Sequence, residues 1–117
     1  WPVLLKNWHD NPEKVVMPEG ESIKDVSERS IEAFNKICLS QKDNDLSLLV
    51  AHDAVNKTLI CNILGINYSN IWMIKQGNGG ITVIDLFNDP SQAPVISALN
   101  ITTHLGGIFD NTASGAL

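Results

Sequence analysis

Residues 46–51, Leu-Ser-Leu-Leu-Val-Ala, form an apolar run that stops at His52, and a helical pattern begins at once. That order is strand, tight turn and helix. The run is too uniformly apolar to have a wet face, so it reads as the central strand of a sheet covered by helices on both sides. The following helix carries Val55, Leu59, Ile63 and Leu64 on one face, with Asp53 expected as its N-cap and Gly65 as its stop. In open α/β sheets ligands collect outside the carboxyl ends of strands, where a following helix offers free N–H groups and the positive end of its dipole. His52 falls at that place. Spacing alone leaves it open whether His52 is a site residue or a structural histidine.

The rest of the chain limits what can surround this unit. At 117 residues and 44% hydrophobic content, the chain suffices for one modest domain, although a doubly wound sheet usually takes more material. The net charge of −5 and pI near 4.9 provide no basic stripe, so nucleic acid is not expected as a partner. No apolar stretch approaches the roughly 20 residues of a membrane span, and the N-terminus lacks the layout of a signal peptide. No membrane partner is expected. Cys38 and Cys61 lack metal or redox spacing and read as reduced core thiols, which fits the cytoplasm. The chain starts at Trp1, which leads us to expect that it begins inside a longer protein.

Residues 1–17 predict a short helix after Pro2 that breaks before Pro12, with Trp1 and Trp8 more readily covering a core edge than lining a pocket. Ser22 with Asp25 three positions on predicts a capping box opening a helix to about Ser40, its apolar side marked by Ile23, Val26, Ile31, Phe34, Ile37 and Cys38. Glu21 and Arg29 lie near the turn that would face a site. Ile81–Phe87 and Val95–Ile101 read as strands, the first entered through Gly77–Gly80, a plain turn without nucleotide-binding glycine spacing. The tail, 111–117, reads as frayed or a linker.

Four segments in this order carry a resemblance: Pro18–Ser22 opening a helix, Leu49–Gly65, Gln76–Ile84 and Leu99–Leu105. Together they are similar to the C-terminal half of the histidine phosphatase superfamily, which includes phosphoglycerate mutases and small phosphatases. The resemblance implies a three-layer α/β/α sandwich of the phosphoglycerate mutase-like fold, of which residues 1–110 would be an incomplete, C-terminal part. It implies that His52 is the second active-site histidine, contacting phosphoryl oxygens, and that the backbone of Asp53 and Ala54 approaches the phosphate. An imidazolium beside a helix N-terminus suits charge spread over phosphoryl oxygens. Glu21 and Asn56 are further pocket candidates; no metal and no cofactor is called for.

Two features depart from the family pattern. No Arg-His-Gly motif, the family's source of the phosphoryl-accepting histidine, occurs in the sequence, and Arg29 is the sole arginine. Asp53 stands where many members have glycine or asparagine, and its carboxylate repels phosphate unless it caps the helix or pairs with a cation. The expected activity is thus that of a parent phosphatase or mutase acting on a small phosphorylated metabolite, this chain alone being inactive. The alternative is a non-catalytic α/β module that binds a ligand or partner in the same cleft. In the family the central strand lies beside the one bearing Arg-His-Gly, so self-association through an exposed sheet edge is expected here.

Overall fold

The computed structural model describes residues 1–106; the tail expected at 111–117 lies outside them. The chain divides into two compact units between Ile74 and Lys75. Among the described residues no helix is long and apolar enough to cross a membrane.

The first unit is helical. Helix α1, Pro2–Asp10, has proline in its first turn, where a missing N–H costs nothing, and it ends at Asn11, ahead of Pro12. Helix α2, Ile23–Ser40, begins with the expected box: the Ser22 hydroxyl accepts from the Asp25 N–H at 3.2 Å, and the Ser22 N–H donates to the Asp25 carboxylate at 2.9 Å. Its buried stripe is Ile23, Ser27, Ser30 and Phe34. Two of those four are serines that a reading by hydropathy passes over. Ser30 donates to the carbonyl of Val26 and Ser27 accepts from the Asn62 side chain at 2.9 Å, so neither hydroxyl is buried unpaired. Val26, Ile31, Ile37 and Cys38 are only half-buried.

Hydrogen bonds from the Ser22 side chain, then its backbone, hold the Asp25 carboxyl below the usual carboxylate range. A folded-state pKa below the unfolded one means that this contribution is present above the unfolded value and is lost as pH falls through the folded value. Ser22→Ala should cost about 1 kcal/mol, the scale of a lost N-cap. Denaturation at neutral and acidic pH checks both statements: the gap between parent and variant should narrow in acid, and an equal gap at both would remove Asp25 from the account.

Helix α3, Asp53–Leu64, packs against α2. Lys57, Thr58, Leu59, Ile60 and Cys61 are buried in succession. Five consecutive positions go all the way round a helix, so this stretch is enclosed rather than laid along one face; the face expected from the sequence is kept only in part, since Leu64 is 51% exposed. Gly65, at φ +67°, ends the helix as expected, its N–H reaching the Asn62 carbonyl while Ile66 N–H reaches that of Cys61. This is a Schellman stop. A short 3-10 stretch, Tyr68–Met73, brings Ile71 into a core with Val15, Ile23, Phe34, Leu59, Ile60, Cys61 and Ile74. Cys38 and Cys61 are free thiols, raised in pKa by burial.

The segment Leu46–Ala51 departs from its reading as a central strand. Among the described residues it pairs with no strand, and Leu46, Leu48 and Val50 are 97%, 86% and 87% exposed. A strand buried on both faces needs a neighbour along each edge and a layer over each face. Among the described residues neither is supplied to it.

The second unit contains a two-stranded antiparallel sheet, β1 (Ile81–Asp85) with β2 (Val95–Ile101), close to where the sequence predicts strands. Val83 faces Ala98 and Ile84 faces Ile96, with irregular register on both sides of Val83. Asn100 adopts φ +53° at this irregularity, and its side-chain oxygen accepts the Gly77 N–H at 2.7 Å. His104 Nε2 donates to the Gly79 carbonyl at 2.9 Å. The glycine segment, expected as a plain turn, is thus clasped by Asn100 and His104. A Cβ at Gly80 would lie 2.5 Å from the Asn100 side-chain oxygen and 3.0 Å from the Gly77 carbonyl. Gly80→Ala should therefore force Asn100 out of its clasp and cost about 1–3 kcal/mol, the range for overpacking. Thermal melting measures it; an unchanged midpoint would mean that the clasp does not hold the turn.

Candidate functional site

His52 is the N-cap of α3, with extended backbone (φ −77°, ψ 162°) and its carbonyl accepting the first helical N–H, from Asn56, at 3.0 Å. Asp53, expected as the cap, is instead the first residue of the helix. The reason is geometric: its carboxylate turns along the helix to Lys57, one turn on, and among the described residues no side chain caps the N-terminus of α3. The first-turn N–H groups, those of Asp53, Ala54 and Val55, lie ahead of the first intrahelical bond. The His52 side chain is exposed and, among the described residues, has no hydrogen-bond partner. Helix dipole, uncapped donors and a histidine therefore meet at one point.

Beneath that point lies a cluster that sequence reading missed. The Lys57 side chain is 7% exposed and its ammonium lies 2.9 Å from Asp53 Oδ2. The same ammonium sits 4.7 Å from the centre of the Trp72 ring, within reach of a cation–π contact. Trp72 is itself held, its indole N–H donating to the Trp8 carbonyl at 2.9 Å and its ring meeting Trp8 edge-on at 5.5 Å. His9 is in the last turn of α1 and stacks at a tilt on Trp72, also at 5.5 Å. Asp53 Oδ1 is buried with no partner. The signal for Lys57 was present as Asp53 four residues before it, the spacing of a helical ion pair; nothing local pointed to Trp72.

The remaining candidates lie in different settings. Asn56 donates its side-chain N–H to the Ala51 carbonyl at 3.1 Å, fastening the end of the 46–51 segment beneath His52. Glu21 forks with Arg29 at 2.8 and 3.0 Å, both side chains about half exposed. The sole arginine of the sequence is thereby committed to Glu21. Among the described residues no group of three or more His, Cys, Asp or Glu is placed to hold a metal ion.

Residues 1–101 match the model of the histidine phosphatase superfamily, branch 1. The chain belongs to that superfamily. It is 28% identical to phosphoserine phosphatase 1 of Hydrogenobacter thermophilus, over 93% of this chain and 50% of that protein. Among solved structures it is similar to Bacillus stearothermophilus YhfR, with a TM-score of 0.70 and 21% identity over 82% of this chain and 46% of the other. It is also similar to a phosphoserine phosphatase from Entamoeba histolytica in complex with phosphoserine, with a TM-score of 0.68 and 25% identity over 88% of this chain and 51% of the other. The α/β fold class is that of these phosphoglycerate mutase-like structures, and the chain spans about half the length of each protein it matches here.

Proposed function

We propose that the chain supplies the second active-site histidine, His52, to a phosphohistidine-dependent phosphatase acting on a small phosphorylated metabolite. The observation that carries this reading is the exposed His52 at the uncapped N-terminus of α3, inside a chain that matches the family from residue 1 to 101. His52 contacts the phosphoryl oxygens, the N–H groups of Asp53 and Ala54 meet the same anion, and charge that grows on those oxygens in the transition state is stabilised by donors already in place. Hydrolysis, rather than phosphoryl transfer between positions of one metabolite, is supported by relatives named as phosphatases. Phosphoserine is the first substrate to assay.

The covalent step belongs to another histidine. Of the chain's three, His104 is bonded to the Gly79 carbonyl, His9 stacks on Trp72, and His52 has the stabilising role. The 117-residue chain assayed alone with an aryl phosphate should therefore show negligible turnover. Robust hydrolysis that disappears in His52→Ala would make His52 the nucleophile. If the full-length protein binds phosphate but turns over neither phosphoserine nor an aryl phosphate, the non-catalytic binding module takes the place of this reading.

A further inference from the structure

We propose that Lys57 is a positioning residue of the His52 site, cancelling the charge of Asp53 at the point where the phosphoryl group is received; this rests on the phosphate-contacting role of His52. The first turn of a helix favours one anion, and here two would compete for it, the Asp53 carboxylate and the incoming phosphate. Left uncompensated, a carboxylate next to His52 would weaken phosphate binding about tenfold or more, by like-charge repulsion in a partly buried setting.

Lys57 removes that competition. Lysine is almost never buried without a partner, yet Lys57 is 5% exposed. Its partner is Asp53 Oδ2, and Trp72 covers it with a π face. The Trp8 carbonyl fixes the Trp72 ring through the indole N–H, so the ammonium cannot swing out to solvent without leaving both contacts. The charge balance at the start of α3 is thus set from beneath by three packed residues, Lys57, Trp72 and Trp8, none of which has to touch the substrate. This is how the family's phosphate site tolerates aspartate at position 53.

An ion pair that served only the fold would show the same contacts, so the test turns on sign. Inorganic phosphate is titrated into the full-length protein and its variants, following the His52 ring resonances by NMR and competitive inhibition of phosphoserine or aryl phosphate hydrolysis. Asp53→Asn leaves Lys57 charged beside the site and should tighten phosphate about tenfold, whereas Lys57→Met should weaken it by a similar factor. The double variant Asp53→Asn with Lys57→Met should return to within about twofold of the parent, because the two charge changes are opposite in sign and cancel at the phosphate. If Lys57→Met fails to fold, the double variant, which leaves no unpaired carboxylate, is compared with Asp53→Asn instead: it should bind phosphate about tenfold more weakly, and equal binding in the two overturns the role of Lys57. Phosphate that moves the His52 resonances but binds Asp53→Asn no more tightly than the parent overturns the role of Lys57 and leaves that of His52 standing. Phosphate that leaves those resonances unmoved in the parent and in every variant removes the His52 reading, and the proposal with it.

Discussion

Replacing His52 by alanine in the full-length protein should lower kcat by about 100-fold or more and leave KM within a small factor, as when a transition state is deprived of one preorganised electrostatic partner. The N-cap geometry is the reason to expect a clean loss. His52 holds its backbone position through its carbonyl, which accepts the Asn56 N–H, and the Asn56 side chain separately ties down Ala51, so neither bond depends on the imidazole. The substitution therefore removes a side chain without releasing the turn that carries it. Steady-state kinetics with phosphoserine and circular dichroism of both proteins check the two halves of the statement. A change confined to KM would mean that His52 binds ground state and transition state alike, and the stabilising role would have to go to another group.

A second large effect is expected from the 46–51 segment. With Leu46, Leu48 and Val50 almost wholly exposed and no ladder partner among the described residues, the 117-residue chain on its own should associate through this stretch in a concentration-dependent way. Bare backbone donors and acceptors flanked by apolar side chains form a template for another strand. In sedimentation, the chain should run as dimers or larger species at micromolar concentration. Leu48→Lys places a charge in the middle of the stretch and should shift it towards monomer, as edge lysines do in natural sheets. In the full-length protein we propose that this stretch is covered by a neighbouring strand, and the same substitution there should instead destabilise the fold by about 2–5 kcal/mol, the scale of an unpaired buried charge or a missing core leucine. A monomeric 117-residue chain with a single cooperative unfolding transition would refute the template.

What each prediction needs was legible in the sequence to a different degree. The two strands around 81–87 and 95–101 appear in the structure, each supplying the other's ladder across the turn between them. The capping box at Ser22 and Asp25, the Schellman glycine at Gly65 and the break before Pro12 depend on interactions within a few residues, and all appear as well. Local hydrogen bonds and allowed φ values decide such features before any tertiary contact forms. The place of His52 directly ahead of α3 was legible for the same reason, being the junction between an apolar run and a helix. The buried face of α2 was only half legible, because Ser27 and Ser30 are buried by their small size and their hydrogen bonds, which hydropathy does not register.

Tertiary structure alone decided two matters. One is the fate of residues 46–51, since an apolar run becomes a sheet strand only where other chain segments provide the ladder and the covering layers, and the residues themselves specify neither. The other is the environment of Asp53. The sequence posed the alternatives for its carboxylate, cap or ion pair, and the answer came from Lys57 held under Trp72, with Trp72 in turn fixed by Trp8, 64 residues earlier in the chain. Periodicity can place Lys57 one turn from Asp53, but whether that lysine points to solvent or is driven inward depends on a ring brought over it by folding. Burial turns an ordinary helical ion pair into a fixed one, because a lysine enclosed by an indole has no water to return to.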